Sequence, residues 1–144
     1  MAVYVDTSAL VKRYVHESSS AAFDAFVTGA DDDLFISPLT LTEFESVLHR
    51  RLRQRDFDKN FLHRAQALFN HDMAAALWQV QAFEPAAFQD AVRLIRELGL
   101  PLATLDALHL GSALQYRCSH LATSDKQLAR AAQRSGLVIH DFSS

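Results

Sequence analysis

The sequence is poor in the residues that mark disulfide-stabilised, fibrous or disordered chains. Its 144 residues include one Cys, four Gly and three Pro. A single thiol cannot form an intramolecular disulfide or a cysteine-rich zinc site, so we expect a reducing, cytoplasmic environment. The low glycine and proline content excludes collagen-like and linker-like sequences.

Long hydrophobic runs are also missing. The N-terminal segment MAVYVDTSAL has no basic region before its apolar residues, and Asp6 interrupts them. No apolar stretch approaches the roughly 18 residues that a membrane span requires, so we expect neither a signal peptide nor a membrane anchor. Instead, 49% of the residues are hydrophobic and ten are Phe, which predicts one compact domain over residues 1–144.

The basic residues are unevenly distributed. The net charge is −3, but six basic and two acidic residues between His49 and Arg64 give a local charge of +4. Such a patch can contact the phosphates of a nucleic acid, with Arg50, Arg51 and Arg53 as the candidate residues, or can simply be the solvated side of a helix.

Short apolar strands alternate with helices along the chain. The pattern predicts strands over residues 2–5, 34–36, 78–83, 120–123 and 137–139. It predicts helices over residues 9–15, 21–27, 40–52, 58–77, 85–98, 104–116 and 125–134, of which the third and fourth form a hairpin. This order indicates an α/β domain with a mostly parallel sheet, in which ligands bind at the carboxyl ends of the strands.

Four acidic residues stand at positions that such a sheet brings together. Asp6 and Asp125 directly follow strands, whereas Glu43 and Asp106 lie in first turns of helices. Carboxylates that share one crevice repel each other, and a hard cation relieves the repulsion. Mg²⁺ and Mn²⁺ prefer oxygen ligands and act commonly on phosphate esters.

Each acid also has a purely structural explanation. Glu43 follows Thr40 at the spacing of a capping box, and Asp106 and Asp125 lie where a carboxylate stabilises a helix start. Asp6 is harder to explain in this way, because a carboxylate that ends a buried strand needs a partner.

Polar residues flank the four acids. His109 follows Asp106 by three positions on the same helix face, so it can support a ligand or a bound phosphate, or can be a buried structural histidine. Four hydroxyl residues can orient ligands or cap helices: Thr7, Ser8, Thr123 and Ser124.

Four segments in this order resemble motifs of the PIN-domain ribonucleases, and among them the VapC-like toxins of VapBC-type toxin–antitoxin pairs. They are VYVDTSALVKRYVHE with Asp6, TLTEFESVLHR with Glu43, LATLDALHLGSAL with Asp106 and LATSDKQLARAAQRSGL with Asp125. The resemblance spans nearly the whole chain. In some relatives another acid lies close after the last one, whereas Lys126 and Gln127 follow here, which leaves the number of metal ions open.

The resemblance implies a three-layer α/β/α PIN-like domain with a mostly parallel central sheet and a helical hairpin. It implies that Asp6, Glu43, Asp106 and Asp125 hold Mg²⁺ or Mn²⁺ and that a metal-activated water hydrolyses RNA phosphodiester bonds. It further implies an antitoxin protein as partner and a homodimer.

Two alternatives are compatible with the residues. A phosphate-handling α/β domain, such as a receiver or an aspartyl-phosphate phosphatase, also has an Asp after its first strand, but here Thr7 and Ser8 follow in place of a second acid. A non-catalytic PIN-like module could bind protein or RNA through the apolar residues of the hairpin.

Overall fold

The strands form one parallel sheet in the computed structural model, which describes residues 2–144. The sheet order is β3-β2-β1-β4-β5, and every pair of neighbours is parallel. The strands are β1 (Ala2–Val5), β2 (Asp33–Ile36), β3 (Gln79–Val80), β4 (His120–Thr123) and β5 (Val138–Asp141). The predicted α/β class with a parallel sheet is therefore confirmed.

Helices cover both faces of this sheet. They are α1 (Thr7–Tyr14), α2 (Ser20–Gly29), α3 (Pro38–Arg53), α4 (Lys59–Ala74), α5 (Pro85–Glu97), α6 (Thr104–Gln115) and α7 (Lys126–Arg134). Helices α1 to α4 enclose one core and α5 to α7 the other, which confirms the three-layer α/β/α architecture. Within residues 2–144 there is no helix with the length and hydrophobicity needed to cross a membrane.

The central strand β1 contributes to both cores. Val3 and Val5 pack in the core on the side of α1 to α4, whereas Tyr4 points into the opposite core. Side chains alternate along a strand, so a strand buried on both faces is apolar at every position. The short AVYV run of β1 has this composition.

Helix α3 begins earlier than its sequence pattern predicts. Pro38 occupies its first turn and Ser37 is its N-cap, because proline is favoured at the first helical position. Thr40 thus lies inside the helix, and the predicted capping box between Thr40 and Glu43 is wrong. The hairpin of α3 and α4 itself is present.

Other boundaries also differ from the predictions, and three of these differences have a clear physical reason. The strand expected over residues 78–83 is reduced to Gln79–Val80, because it pairs only with β2 at the sheet edge and Trp78 is buried in the core. Helix α4 ends at Ala74 instead of residue 77, since Ala76 has a left-handed backbone with φ of 59°. Thr104 is the first residue of α6, with Ala103 rather than Thr104 as its N-cap.

The sheet order creates a crevice at the carboxyl ends of β1 and β4. From β1 the chain builds outward through β2 and β3 on one side, and β4 and β5 lie on the other. Such a reversal of strand order separates the loops that follow the two central strands and leaves room for a ligand. Asp6 and Ser124 follow these two strands directly.

Helix α6, which borders this crevice, lies very close to α5. A Cβ atom at Gly111 would be 2.6 Å from the backbone oxygen of Ala87. Only glycine fits there without a shift of one helix. The position of α6, and of the polar side chains in its first two turns, thus depends on this contact.

Candidate active site

A cleft of about 300 Å³ lies at the carboxyl ends of β1 and β4. All four predicted acids line it, together with four of the five predicted supporting residues. Its polar and charged lining consists of Asp6, Thr7, Ser8, Glu17, Glu43, Arg50, Arg51, Asp106, His109, Ser124 and Asp125. The fold therefore brings together residues that are far apart in the sequence.

Asp6 is the most constrained acid of the cleft. Its side chain caps α1 by accepting a hydrogen bond from the backbone N–H of Ala9 at 3.1 Å. It also accepts hydrogen bonds from the hydroxyls of Ser8 at 2.8 Å and 2.9 Å and of Thr123 at 3.0 Å. These contacts satisfy a carboxylate that is only 3% exposed.

The hydroxyl residues join the loops after β1 and β4. Thr123 is fully buried beneath the cleft, and its hydroxyl accepts a hydrogen bond from the backbone N–H of Asp125 at 2.9 Å. The hydroxyl of Ser8 accepts one from the backbone N–H of Ser124 at 3.0 Å. Thr123 and Ser8 therefore fix Asp6 and the start of α7 relative to each other.

Glu43 projects from α3 and is held at one oxygen. Its Oε1 accepts hydrogen bonds from the hydroxyl of Thr7, at 2.7 Å, and from Nε2 of His109. Among the residues that the structure describes, none donates to Oε2. One carboxylate oxygen of Glu43 is thus anchored to α1 and α6, and the other is left for a ligand.

Asp106 and Asp125 are held less tightly than Asp6. Asp125 is the N-cap of α7, and its Oδ1 accepts hydrogen bonds from the backbone N–H groups of Gln127 and Leu128. Asp106 lies in the first turn of α6 without capping it, and its carboxylate accepts no hydrogen bond within the described chain.

The pKa values reflect this difference in support. Burial, together with the charges of Asp125, Asp6 and Glu43, raises the pKa of Asp106 to about 6. Burial also raises the pKa of Asp6 above its usual value, against the lowering effect of His109 and of its hydrogen bonds. For Glu43, burial acts to raise the pKa, but His109 and Thr7 outweigh it and the pKa is lowered.

The donor set fits a hydrated magnesium or manganese ion. Within residues 2–144, no three acidic, histidine or cysteine side chains are grouped closely enough to hold a metal by themselves. Mg²⁺ does not need such a group, because it keeps several waters and takes one or two carboxylates from the protein. The mutual repulsion that raises the pKa of Asp106 would be relieved by a cation in the cleft.

The predicted basic contacts separate into two groups. Arg50 and Arg51 line the cleft, whereas Arg53 does not. Arg51 is partly engaged by acidic neighbours, since its Nε is 3.0 Å from Asp56 and its Nη1 is 3.9 Å from Glu17. Arg50 is therefore the arginine of the cleft with the better access to a phosphate.

Three residues around the site were missed by the sequence analysis. Glu17, in the loop after α1, lines the cleft. Tyr4 and Ser37 lie beneath it, where the Tyr4 hydroxyl donates to Ser37 and contacts His109. In the sequence, Tyr4 looks like any other buried strand residue. The alternation of side chains along β1 indicates only that Tyr4 faces the opposite side of the sheet from Val3 and Val5.

Similar folds occur in solved structures. VapC20 of Mycobacterium tuberculosis, a toxin that cleaves the sarcin–ricin loop, shares 15% identity with a TM-score of 0.71, over 94% of this chain and 96% of that one. The DNA-bound VapBC of Salmonella typhimurium shares 19% identity with a TM-score of 0.66, over 99% and 98%. A toxin–antitoxin complex from Klebsiella pneumoniae shares 20% identity with a TM-score of 0.60, over 90% and 91%.

The sequence has diverged further from known proteins than the fold has. A comparison with curated proteins gives no match. The sequence profile of the PIN domain, in contrast, matches residues 3–134 and thus covers all four acids and the whole cleft. The chain belongs to the PIN domain family.

Proposed function

We propose that this protein is a metal-dependent endoribonuclease that acts as the toxin of a toxin–antitoxin pair. The observation that carries the proposal is the cleft in which Asp6, Glu43, Asp106 and Asp125 come together with a raised pKa at Asp106. Carboxylates grouped in this way without a paired arginine or lysine are suited to a divalent cation.

In this proposal Asp6, Glu43 and Asp106 are the main ligands of Mg²⁺ or Mn²⁺. When bound, the ion supplies positive charge that offsets the charge of the phosphate and lowers the pKa of water. Asp125 is a further ligand or orients the attacking water with Oδ2, because its Oδ1 is occupied by the start of α7.

The supporting residues keep these carboxylates in place. Ser8 and Thr123 hold both oxygens of Asp6 and thereby limit its rotation. Thr7 fixes Glu43 from α1, and Ser124 ties the loop after β4 to Ser8. Such support is important because small displacements of catalytic groups reduce rates strongly.

A nucleic acid is the substrate class that the charge distribution favours. Arg50 and Arg51 line the cleft beside the acids, and Arg50 is free to bind a phosphate next to the bond to be cleaved. We propose RNA among nucleic acids because VapC20, a toxin that cleaves the sarcin–ricin loop, has a similar fold.

Two protein partners belong to the proposal. An antitoxin is supported by the similarity to the Klebsiella pneumoniae toxin–antitoxin complex. A second copy of the chain is supported by the exposed apolar side of α5, where Phe88, Val92 and Ile95 are 54%, 48% and 45% exposed. Their spacing forms one stripe, which two antiparallel copies of α5 can bury against each other.

The homodimer is tested by sedimentation velocity of the full chain. We expect the wild-type protein to sediment as a dimer and Val92→Glu to sediment as a monomer with an unchanged circular dichroism spectrum, because the charge disrupts only the exposed stripe. The thermal unfolding midpoint of the variant should be lower than that of the dimer, since association stabilises the folded state. A wild-type monomer over the accessible concentration range would contradict this part of the proposal.

The nuclease activity is tested on a mixed RNA pool with Mg²⁺, with Mn²⁺ and with excess chelator. We expect cleavage that requires the metal and that falls by more than about 1000-fold in Asp6→Asn, which keeps the side chain's shape but removes its charge. The variant also controls for contaminating nuclease. Metal-independent cleavage, or equal cleavage by Asp6→Asn, would overturn the proposal.

A further inference from the structure

A row of hydrogen-bonded side chains runs beneath the cleft and ends at Glu43. The Tyr4 hydroxyl lies 3.0 Å from the hydroxyl of Ser37 and 2.6 Å from Nδ1 of His109. The other ring nitrogen of His109, Nε2, donates to Oε1 of Glu43. The row joins β1, the loop after β2, α6 and α3.

The Tyr4 hydroxyl makes both of its polar contacts in the interior. It donates to Ser37 and lies 2.6 Å from Nδ1 of His109, so Tyr4 contacts the imidazole from a position that is itself fixed. Tyr4 and Ser37 are fully buried and His109 is 2% exposed, so water does not compete for these contacts.

Burial makes this row rigid. The Tyr4 ring packs edge-on to the imidazole of His109, with centroids 5.7 Å apart, and leaves it one orientation. His109 lies one helical turn after Asp106 on α6, so the same helix supplies a carboxylate of the cleft and the imidazole that contacts another. His109 is thus the link between two of the four acids.

We propose that His109 is a positioning residue: Tyr4 fixes its ring at Nδ1, and Nε2 holds Oε1 of Glu43 so that Oε2 is offered to a divalent ion. The inference rests on the proposed function. Tyr4 does not line the cleft, yet through His109 it affects the affinity of the cleft for a metal ion.

Two amide substitutions separate this role from a merely structural one. The amide nitrogen of glutamine lies close to the place of Nε2, so His109→Gln retains a donor to Glu43. The amide nitrogen of asparagine lies close to the place of Nδ1, so His109→Asn retains a donor to Tyr4 but loses Glu43. Both variants place an uncharged amide at the same buried position.

The readout is the affinity of the full chain for Mn²⁺, measured by calorimetry without RNA. We expect His109→Asn to bind Mn²⁺ about tenfold more weakly and His109→Gln to stay within about twofold of the wild-type protein. Tyr4→Phe, which removes only the hydroxyl, is expected to weaken binding about threefold. In a Glu43→Gln background, His109→Asn should cause no further loss, because the two residues act through one contact.

The outcomes distinguish this inference from the proposed function. A wild-type protein that does not bind Mn²⁺ would overturn the proposed function and the inference with it. Wild-type binding with equal affinities for His109→Asn, His109→Gln and Tyr4→Phe would overturn the positioning role alone. Should His109→Asn fail to fold, an unchanged Mn²⁺ affinity of the conservative Tyr4→Phe variant would still overturn that role.

Discussion

Asp72 and Asp6 are both almost fully buried carboxylates, yet their surroundings differ in charge. Asp72, on α4, accepts hydrogen bonds from Nε of Arg13 at 2.7 Å and from the hydroxyl of Tyr14 at 2.6 Å. Asp6 is bonded only to hydroxyls and a backbone N–H, and further carboxylates share its cleft.

The pKa values follow this difference. Burial acts to raise the pKa of Asp72, but Arg13 and Tyr14 outweigh it and keep that pKa below its usual value. The pKa values of Asp6 and Asp106 are raised instead. A buried acid that has its own cation within the chain is a structural element, whereas a group of acids without one is suited to a cation from outside.

Removal of Asp72 should cause the largest loss of stability. Asp72→Ala leaves Tyr14 without its acceptor and Arg13 with only Asp24, 3.5 Å from Nη1, as an ion-pair partner. We expect the free energy of unfolding to fall by about 3 kcal/mol, because removal of one member of a buried ion pair leaves the other buried without compensation. Denaturation in urea measures the change. RNA cleavage at low temperature should be unaffected, because Asp72 lies outside the cleft.

The matched control for this variant is Asp56→Ala. Asp56 pairs with Nε of Arg51 at 3.0 Å on an exposed part of the hairpin. Exposed pairs contribute about 1 kcal/mol or less. Equal losses in the free energy of unfolding for Asp72→Ala and Asp56→Ala would show that burial does not decide how much an ion pair contributes to stability.

Acid should weaken metal binding at the cleft. The pKa of Asp106 is about 6 without metal, so its carboxylate takes up a proton below this pH and the proton competes with the ion. Between pH 7 and pH 5 we expect the affinity for Mn²⁺ to fall about tenfold, measured by calorimetry. Asp106→Asn should bind weakly at both pH values, and an unchanged wild-type affinity would contradict the prediction.

Neutralisation of Asp106 should stabilise the metal-free protein slightly. Folding raises the pKa of Asp106 to about 6. Below its unfolded pKa the carboxyl group is neutral in both states and costs no stability. As the pH rises through about 6 the group becomes charged in the folded protein, which lowers the free energy of unfolding. At pH 7 we expect the free energy of unfolding of Asp106→Asn to exceed that of the wild-type protein by about 1 kcal/mol, a value that allows for solvent screening. At pH 4 the two proteins should be equal, and a gain that persists there would have another cause.

The architecture and the grouping of the four acids could be predicted from local patterns. Asp6 and Asp125 each follow an apolar strand and precede a helix, and a parallel sheet brings such positions to one edge. Glu43 and Asp106 lie in first turns of helices, which can face the same crevice, and the family resemblance pointed to the same four residues. The structure places all four in one cleft.

Other features could not be predicted because they depend on long-range packing. The roles of Tyr4 and Ser37 depend on which face of the sheet a strand residue points to and on what lies there. Thr123 was expected beside the other hydroxyls but is buried beneath them, because it is the last residue of β4 and lies within the sheet. Arg53 shares a charge cluster with Arg50 but not the cleft, because it lies about one helical turn further along, at the last residue of α3.

The order of the strands also affects when the cleft can form during synthesis. Its acids lie from Asp6, which follows β1, to Asp125, which precedes α7, and β4 pairs with both β1 and β5. Chains fold from the N-terminus as they emerge from the ribosome. A nascent chain that stops before β4 therefore lacks Asp125 and the Thr123 hydroxyl that holds Asp6, so the cleft is complete only after this segment has emerged.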